Sequence, residues 1–238
     1  MRQIFFAIRN TWLLPVLLTG SCILGVARAA EPWVEGTHYF AVIPPQRANV
    51  PPGKVEVTEV FSYGCPACYQ FFPTADKLKA SMPPNVVFDY LPASYNPGED
   101  WPVFQQAYFT ALALGVAERT HDAMFDAIWG KDGELSILDA SGKRIKDPLP
   151  SIENVADFYK RVAGVDRDKF ISTAKSFGVA VKMKHADDLI RVYQADSTPT
   201  IIVNGKYRLN VRSAGGLSQT IELVKYLVAR ESSVPAAH

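Results

Sequence analysis

Val55-Glu56-Val57-Thr58-Glu59-Val60-Phe61-Ser62-Tyr63-Gly64-Cys65-Pro66-Ala67-Cys68 is the stretch on which the reading of this chain turns. Its first seven residues alternate and are rich in β-branched side chains, which predicts a strand ending just ahead of the two cysteines. Beyond it, Cys68, Phe71, Phe72, Ala75 and Leu78 recur at helical spacing to about Ala80, and Met82-Pro83-Pro84 stops the helix. Cys65 is thereby placed at a helix N-terminus, with Pro66 in the first turn, where no N–H is missed. Pro73, inside the helix, is expected to kink it. Val86-Val87-Phe88-Asp89-Tyr90-Leu91 reads as a second strand, completing a β-α-β unit whose strands should run parallel.

Outward from this unit the pattern changes. From about Val103 to Trp129, and again from Ile152 to Gln194, apolar positions recur every three or four residues, which predicts four or five helices punctuated by Gly115, Gly164 and Gly178. Between these blocks, Gly130 to Pro150 is dense in charge, glycine and proline and reads as a surface excursion with room for a small hairpin. Strand signals return at Thr200-Ile201-Ile202-Val203 and Lys206-Tyr207-Arg208-Leu209, joined by Asn204-Gly205, the strongest short hairpin signal. A last helix spans Leu217 to Arg230. The order β-α-β, helical block, β-β-α, without internal repeats, is that of an α/β, thioredoxin-like fold with an inserted helical domain. The expected partition is a first thioredoxin-like part at 30–98, the helical insertion at 99–185, a second thioredoxin-like part at 186–230 and a disordered tail at 231–238.

The chain has 238 residues, 48% hydrophobic and 21% charged, a balance that excludes a disordered, collagen-like or multi-span membrane protein. With 25 Lys+Arg against 24 Asp+Glu there is no basic field to hold nucleic acid by its phosphates. At the N-terminus, Arg2 and Arg9 precede an apolar run from about Trp12 to Val26, closed by Ala27-Arg28-Ala29. This reads as a cleaved export signal over residues 1–29, with Ala30 the first mature residue. The run is interrupted by Pro15 and falls short of the roughly 20 residues a spanning helix needs. Leu18-Thr19-Gly20-Ser21-Cys22 faintly resembles a lipobox, so an inner-membrane lipoprotein at Cys22 is the minor alternative.

Cleavage at this point removes Cys22 and leaves Cys65 and Cys68 as all the thiol chemistry of the mature protein. As a structural staple the pair would close a loop so short that the chain-entropy gain is only about 2 kcal/mol. As a zinc site it lacks a second CxxC or HxxH, His38, His121, His185 and His238 being scattered. A redox role is the reading that remains, with no metal and no bound cofactor.

The run from Phe61 to Phe71, the Thr198-Pro199-Thr200 step and Val203-Asn204-Gly205-Lys206-Tyr207 together resemble the DsbA-type periplasmic thiol:disulfide oxidoreductases, over roughly residues 33–230. The resemblance implies a disulfide donor to exported, unfolded, cysteine-containing proteins, reoxidised by a DsbB-type membrane quinone reductase, and a monomer is expected. One departure is Ala67, where the best-known members of the family carry His. The alternatives are a periplasmic isomerase or reductase of related fold, and a chaperone-like protein-binding module whose cysteines are incidental.

Four positions are read as catalytic. Cys65, facing the positive end of the helix dipole and its free N–H groups, is the sulfur that a substrate thiol attacks. Cys68, deeper on the same face, re-forms the disulfide with Cys65. Glu59 shares a strand face with Val55, Val57 and Phe61, so it should be buried, protonated and able to exchange a proton with Cys68 through water. Pro199 taken alone is an ordinary trans proline at a strand start; the resemblance implies a cis bond facing the cysteines, with Thr198 offering its backbone to a bound peptide. Substrate binding is expected at Thr198, Pro66 and Ala67. Glu56 reads as a surface residue, and Phe71, Phe72, Tyr108 and Phe109 as core.

Overall fold

The structure is a computed structural model that describes residues 32–143 and 145–233. The expected export signal at 1–29 and Cys22 lie outside the described residues.

The sheet is built on β2 (Val55–Phe61), whose seven residues are all buried. It is flanked on one side by β3 (Val86–Pro92), parallel, and on the other by β4 (Thr200–Val203), antiparallel. Next to β4 lies β5 (Tyr207–Asn210), and beyond it β1 (Phe40–Ala41), both antiparallel, giving the order β1-β5-β4-β2-β3. Asn204 and Gly205, at φ 53° and 66°, supply the left-handed turn that the Asn-Gly pair predicts. A Cβ on Gly205 would come 2.3 Å from the Gln46 carbonyl oxygen, so the position also needs the bare backbone.

Helix α1 (Pro66–Ser81) runs through Pro73 and buries Cys68, Phe71, Thr74, Ala75 and Leu78. Five helices, α2 (Trp101–Ala113), α3 (Ala117–Trp129), α4 (Ile152–Ala163), α5 (Arg167–Ala174) and α6 (Phe177–Val192), lie between β3 and β4 in sequence. A short α7 (Val211–Ala214) precedes α8 (Leu217–Ser232). One face of the sheet, with Val57, Ile201, Val203 and Leu209, packs on α1 and α8 through Phe71, Leu78, Leu223 and Leu227. Val60, Phe61 and Ile202 join a second core with Phe104, Tyr108, Phe125, Tyr159 and Ile190 of the inserted helices. Among the described residues no helix is long and apolar enough to cross a membrane.

Several expectations need correction. Glu56 is not on the surface: it is 6% exposed, its Oε2 accepts from the Asn49 N–H at 3.3 Å, and burial raises its pKa. Alternation suggests a half-buried strand, but β2 is an inner strand covered on both faces, so both sets of side chains are enclosed. The excursion at 130–150 holds one antiparallel bridge, Leu138 to Ile145, yet it also sends Leu135 and Ile137 into the core. Gly178 lies inside α6, which Ser176 caps, and α8 continues through Glu231 and Ser232, where the tail was expected to begin. Strand β1 and helix α7 have no counterpart in the sequence reading.

Candidate active site

Two segments 133 residues apart in sequence meet at the sulfur of Cys65. Strand β2 delivers one of them, running straight into Ser62, Tyr63 and Gly64. The other comes from the β2/β4 register, which pairs Val57 with Val203 and Val60 with Thr200. Continued by two residues, that register sets Thr198 opposite Ser62. The Cys65 thiol accordingly donates to the Thr198 carbonyl at 3.5 Å, and the Thr198–Pro199 peptide bond is cis.

Cys65 is the N-cap of α1, in extended geometry (φ −95°, ψ 117°) with Pro66 following. No side-chain hydrogen bond caps this helix; the Cys68 N–H donates to the Cys65 carbonyl at 3.1 Å, and the Ala67 and Cys68 N–H groups also help to hold the Cys65 sulfur as thiolate. Cys65 is 6% exposed and Cys68 0%, both free thiols, while Pro66 and Ala67 between them face solvent. The two thiols are driven apart. A hydrogen bond from the Cys68 thiol, outweighing the opposing effect of burial and helped by Thr198 and by the Cys68 and Ala67 N–H groups, lowers Cys65 from 9.0 to about 6. Burial above all, then the hydrogen bond given to Cys65, pushes Cys68 up. The Thr198 hydroxyl oxygen is buried without a hydrogen-bond partner beside the protonated pair, free to donate once the sulfur ionises.

Glu59, on β2 three residues before Ser62, is 2% exposed. Burial, with the negative charges of Asp76 and Cys65 adding to it, raises its pKa to about 8, so the carboxyl carries its proton at neutral pH. Glu59 in turn is one of the charges that push Cys68 up. Cys65, Cys68, Thr198 and Pro199 are thus brought together, with Pro66 and Ala67 at the rim and Glu59 beneath. Phe71, Tyr108 and Phe109 are buried, and Phe72 stacks on Phe125 at 5.8 Å.

A family profile described as Thioredoxin matches residues 51–223. The thiol:disulfide interchange protein DsbA of Pseudomonas aeruginosa is 36% identical over 219 residues, covering 92% of this chain and 95% of the relative. The chain belongs to the DsbA family. DsbA of Pseudomonas syringae pv. tomato is 34% identical and covers 96% of the chain and 99% of the relative. The crystal structure of P. aeruginosa DsbA superposes with a TM-score of 0.71 over 85% of this chain and 96% of the other. That of the oxidoreductase DsbA from Xylella fastidiosa, 31% identical, also gives 0.71, over 85% and 99%. The DsbA-family chain is therefore a thiol:disulfide oxidoreductase with a thioredoxin-like fold, an activity that needs a substrate protein on one side and a redox partner on the other.

Several groups at the DsbA-type site were not legible beforehand. Trp101 lies against Gly64, so close that a Cβ there would fall 2.6 Å from the indole Cδ1, which is why glycine precedes Cys65. Tyr95, 5.8 Å from Trp101 between ring centres, donates its hydroxyl to the Ala195 carbonyl and so holds the segment leading to Thr198. Tyr63, His121 and Trp129 form a third set. Apart from the Tyr95–Trp101 ring pair, these are contacts across long sequence separations, and no local spacing announces them.

Proposed function

We propose that the chain is a periplasmic disulfide donor to exported, unfolded proteins, working through Cys65 and Cys68. The observation that carries this reading is the split between the two thiols, Cys65 at about 6 and Cys68 raised. A sulfur that is stable as thiolate at neutral pH favours the reduced form of the pair over its disulfide, and that is what makes the disulfide an oxidant.

An extended substrate segment lies along Thr198, whose main-chain groups border the site beside Pro199, with Pro66 and Ala67 as the exposed contact surface. A substrate thiolate attacks Cys65 Sγ; the Cys65–Cys68 bond breaks, and a mixed disulfide forms between substrate and Cys65. The displaced Cys68 sulfur takes up a proton, which Glu59 supplies through water. A second substrate thiolate then attacks the substrate sulfur of the mixed disulfide, closing the substrate disulfide and releasing Cys65 as thiolate. The substrate loses two electrons and the Cys65–Cys68 pair gains them. A DsbB-type membrane quinone reductase takes them on and restores the disulfide.

The same reading makes residues 1–29 a cleaved export signal, with a lipid anchor at Cys22 as the lesser option. It divides the mature chain into thioredoxin-like parts at 30–98 and 186–230 around the helical insertion at 99–185, and it gives a monomer. The test mixes the oxidised protein with a reduced, unfolded substrate such as ribonuclease. A donor forms one substrate disulfide for each Cys65–Cys68 disulfide consumed. A chaperone-like module would raise the refolding yield and leave its own disulfide intact.

A further inference from the structure

Helix α3 of the insertion holds the loop in front of Cys65 by two hydrogen bonds to a single residue. The Tyr63 hydroxyl and His121 Nδ1 lie 2.9 Å apart in a buried hydrogen bond one turn into the helix. At its other end, the indole N–H of Trp129 donates to the Tyr63 main-chain carbonyl at 2.7 Å. Tyr63 is 1% exposed, and burial keeps its hydroxyl protonated and His121 neutral, lowered to about 3. The pair is therefore a hydrogen bond between uncharged groups across the neutral range. The Tyr63 carbonyl belongs to the peptide that leads into Gly64, and the turn continues with the Gly64 N–H on Ser62 Oγ at 3.1 Å and the Cys65 N–H on the Ser62 carbonyl at 3.1 Å.

The same helix reaches the far side of the cysteines. The Phe125 ring lies 5.0 Å from that of Tyr63, 6.3 Å from Tyr69 and 5.8 Å from Phe72, and the Tyr69 hydroxyl bonds Asp126 Oδ1 at 3.4 Å. Cys65 thus sits between two segments that α3 grips. Its thiolate depends on where it sits: it is stabilised by the Cys68 thiol, by Thr198 and by the N–H groups of α1, all direction-dependent contacts.

We infer that His121 and Trp129 are positioning residues that set the redox properties of Cys65 by clamping Tyr63. The inserted helices then do more than cover the sheet; they tune the thiol. This rests on the reading of Cys65 as the attacked sulfur.

The experiment measures thiolate absorbance against pH, and equilibrium with glutathione, for the wild type and for His121→Leu, His121→Gln, Trp129→Phe and Phe170→Leu. Phe170 is a buried residue of α5 whose ring stacks on Tyr159 and, among the described residues, makes no ring contact with Tyr63, so its substitution reports what simple loss of packing does. His121→Leu and Trp129→Phe should each raise the Cys65 titration midpoint and lower the oxidising equilibrium constant by about three- to tenfold, the range of one hydrogen bond's net contribution. His121→Gln, which keeps a polar partner for Tyr63, should restore most of the loss, and Phe170→Leu should lower stability without moving either quantity. If His121→Leu does not fold, Trp129→Phe alone decides, since it removes the indole N–H that donates to the Tyr63 carbonyl and keeps an aromatic ring at a half-buried position. Titrations of Trp129→Phe and His121→Leu that superpose on the wild type overturn the inference. A wild type whose Cys65 titrates near 9 would instead overturn the reading of the site on which it rests.

Discussion

Replacing Glu59 by glutamine keeps the shape of the side chain and removes its proton, and the consequence can be worked from the site. The folded pKa of Glu59 is about 8 against an ordinary 4.5. A carboxyl raised in this way contributes stability that is complete below pH 4.5. It is lost as the pH climbs toward 8, because the unfolded chain releases the proton while the folded chain must keep it. Each pH unit in that window costs about 1.4 kcal/mol. Glutamine has no such slope, whatever fixed penalty its buried amide brings. The stability of Glu59→Gln relative to wild type should therefore rise with pH by about 3 kcal/mol between pH 5 and pH 7. Above pH 8 the difference should level off. The assay is urea unfolding of both reduced proteins at pH 5, 6, 7 and 8; Cys65 and the other shifted groups titrate in both and cancel to first order. Stability curves that stay parallel across this range would refute the buried, protonated carboxyl and with it the proton exchange with Cys68.

Cys68→Ser should accumulate mixed disulfides through Cys65 while Cys65→Ser traps nothing, read by non-reducing gels and mass mapping; partners found on Cys68 would reverse the assignment. The reduced protein should react with iodoacetamide at a rate that rises through a midpoint near pH 6, the Cys65 value, with Cys68 silent until far higher pH. Ala67→His should lower the Cys65 pKa further and raise the reduction potential, because an imidazole over the helix start favours the thiolate. A glutathione titration that places both proteins at the same potential would remove position 67 from the tuning.

The stretch from Val55 to Cys68 states its own structure because each of its signals is local: alternation for the strand, Pro66 for the helix start, Cys65 as the cap. The hairpin around Asn204 and Gly205 is legible for the same reason. Glu59 could be placed because period-two alternation assigns it a face. Glu56 could not, since whether the opposite face is also covered depends on helices that lie far along the chain. Strand β1 is only Phe40 and Ala41, held by pairing with Tyr207 and Arg208, far along the chain, and by the Arg208 guanidinium over the Phe40 ring at 4.9 Å. Leu135 and Ile137 are buried although their surroundings are polar, because the excursion folds back on α3 and the Leu135 N–H bonds the Ala127 carbonyl. His121, one of four scattered histidines in the sequence, becomes part of the site only when α3 is laid against Tyr63, 58 residues earlier.

The central claim is that the Cys65–Cys68 pair gives its disulfide away. The resting redox state of the pair, trapped in intact cells by acid quench and read by a thiol-alkylating mass shift, tests it most directly. A donor kept charged by a membrane reoxidant should be found oxidised, and should become reduced when that reoxidant is deleted. A pair found reduced at rest, and unmoved by the deletion, would contradict the account and place the chain with the reductases and isomerases.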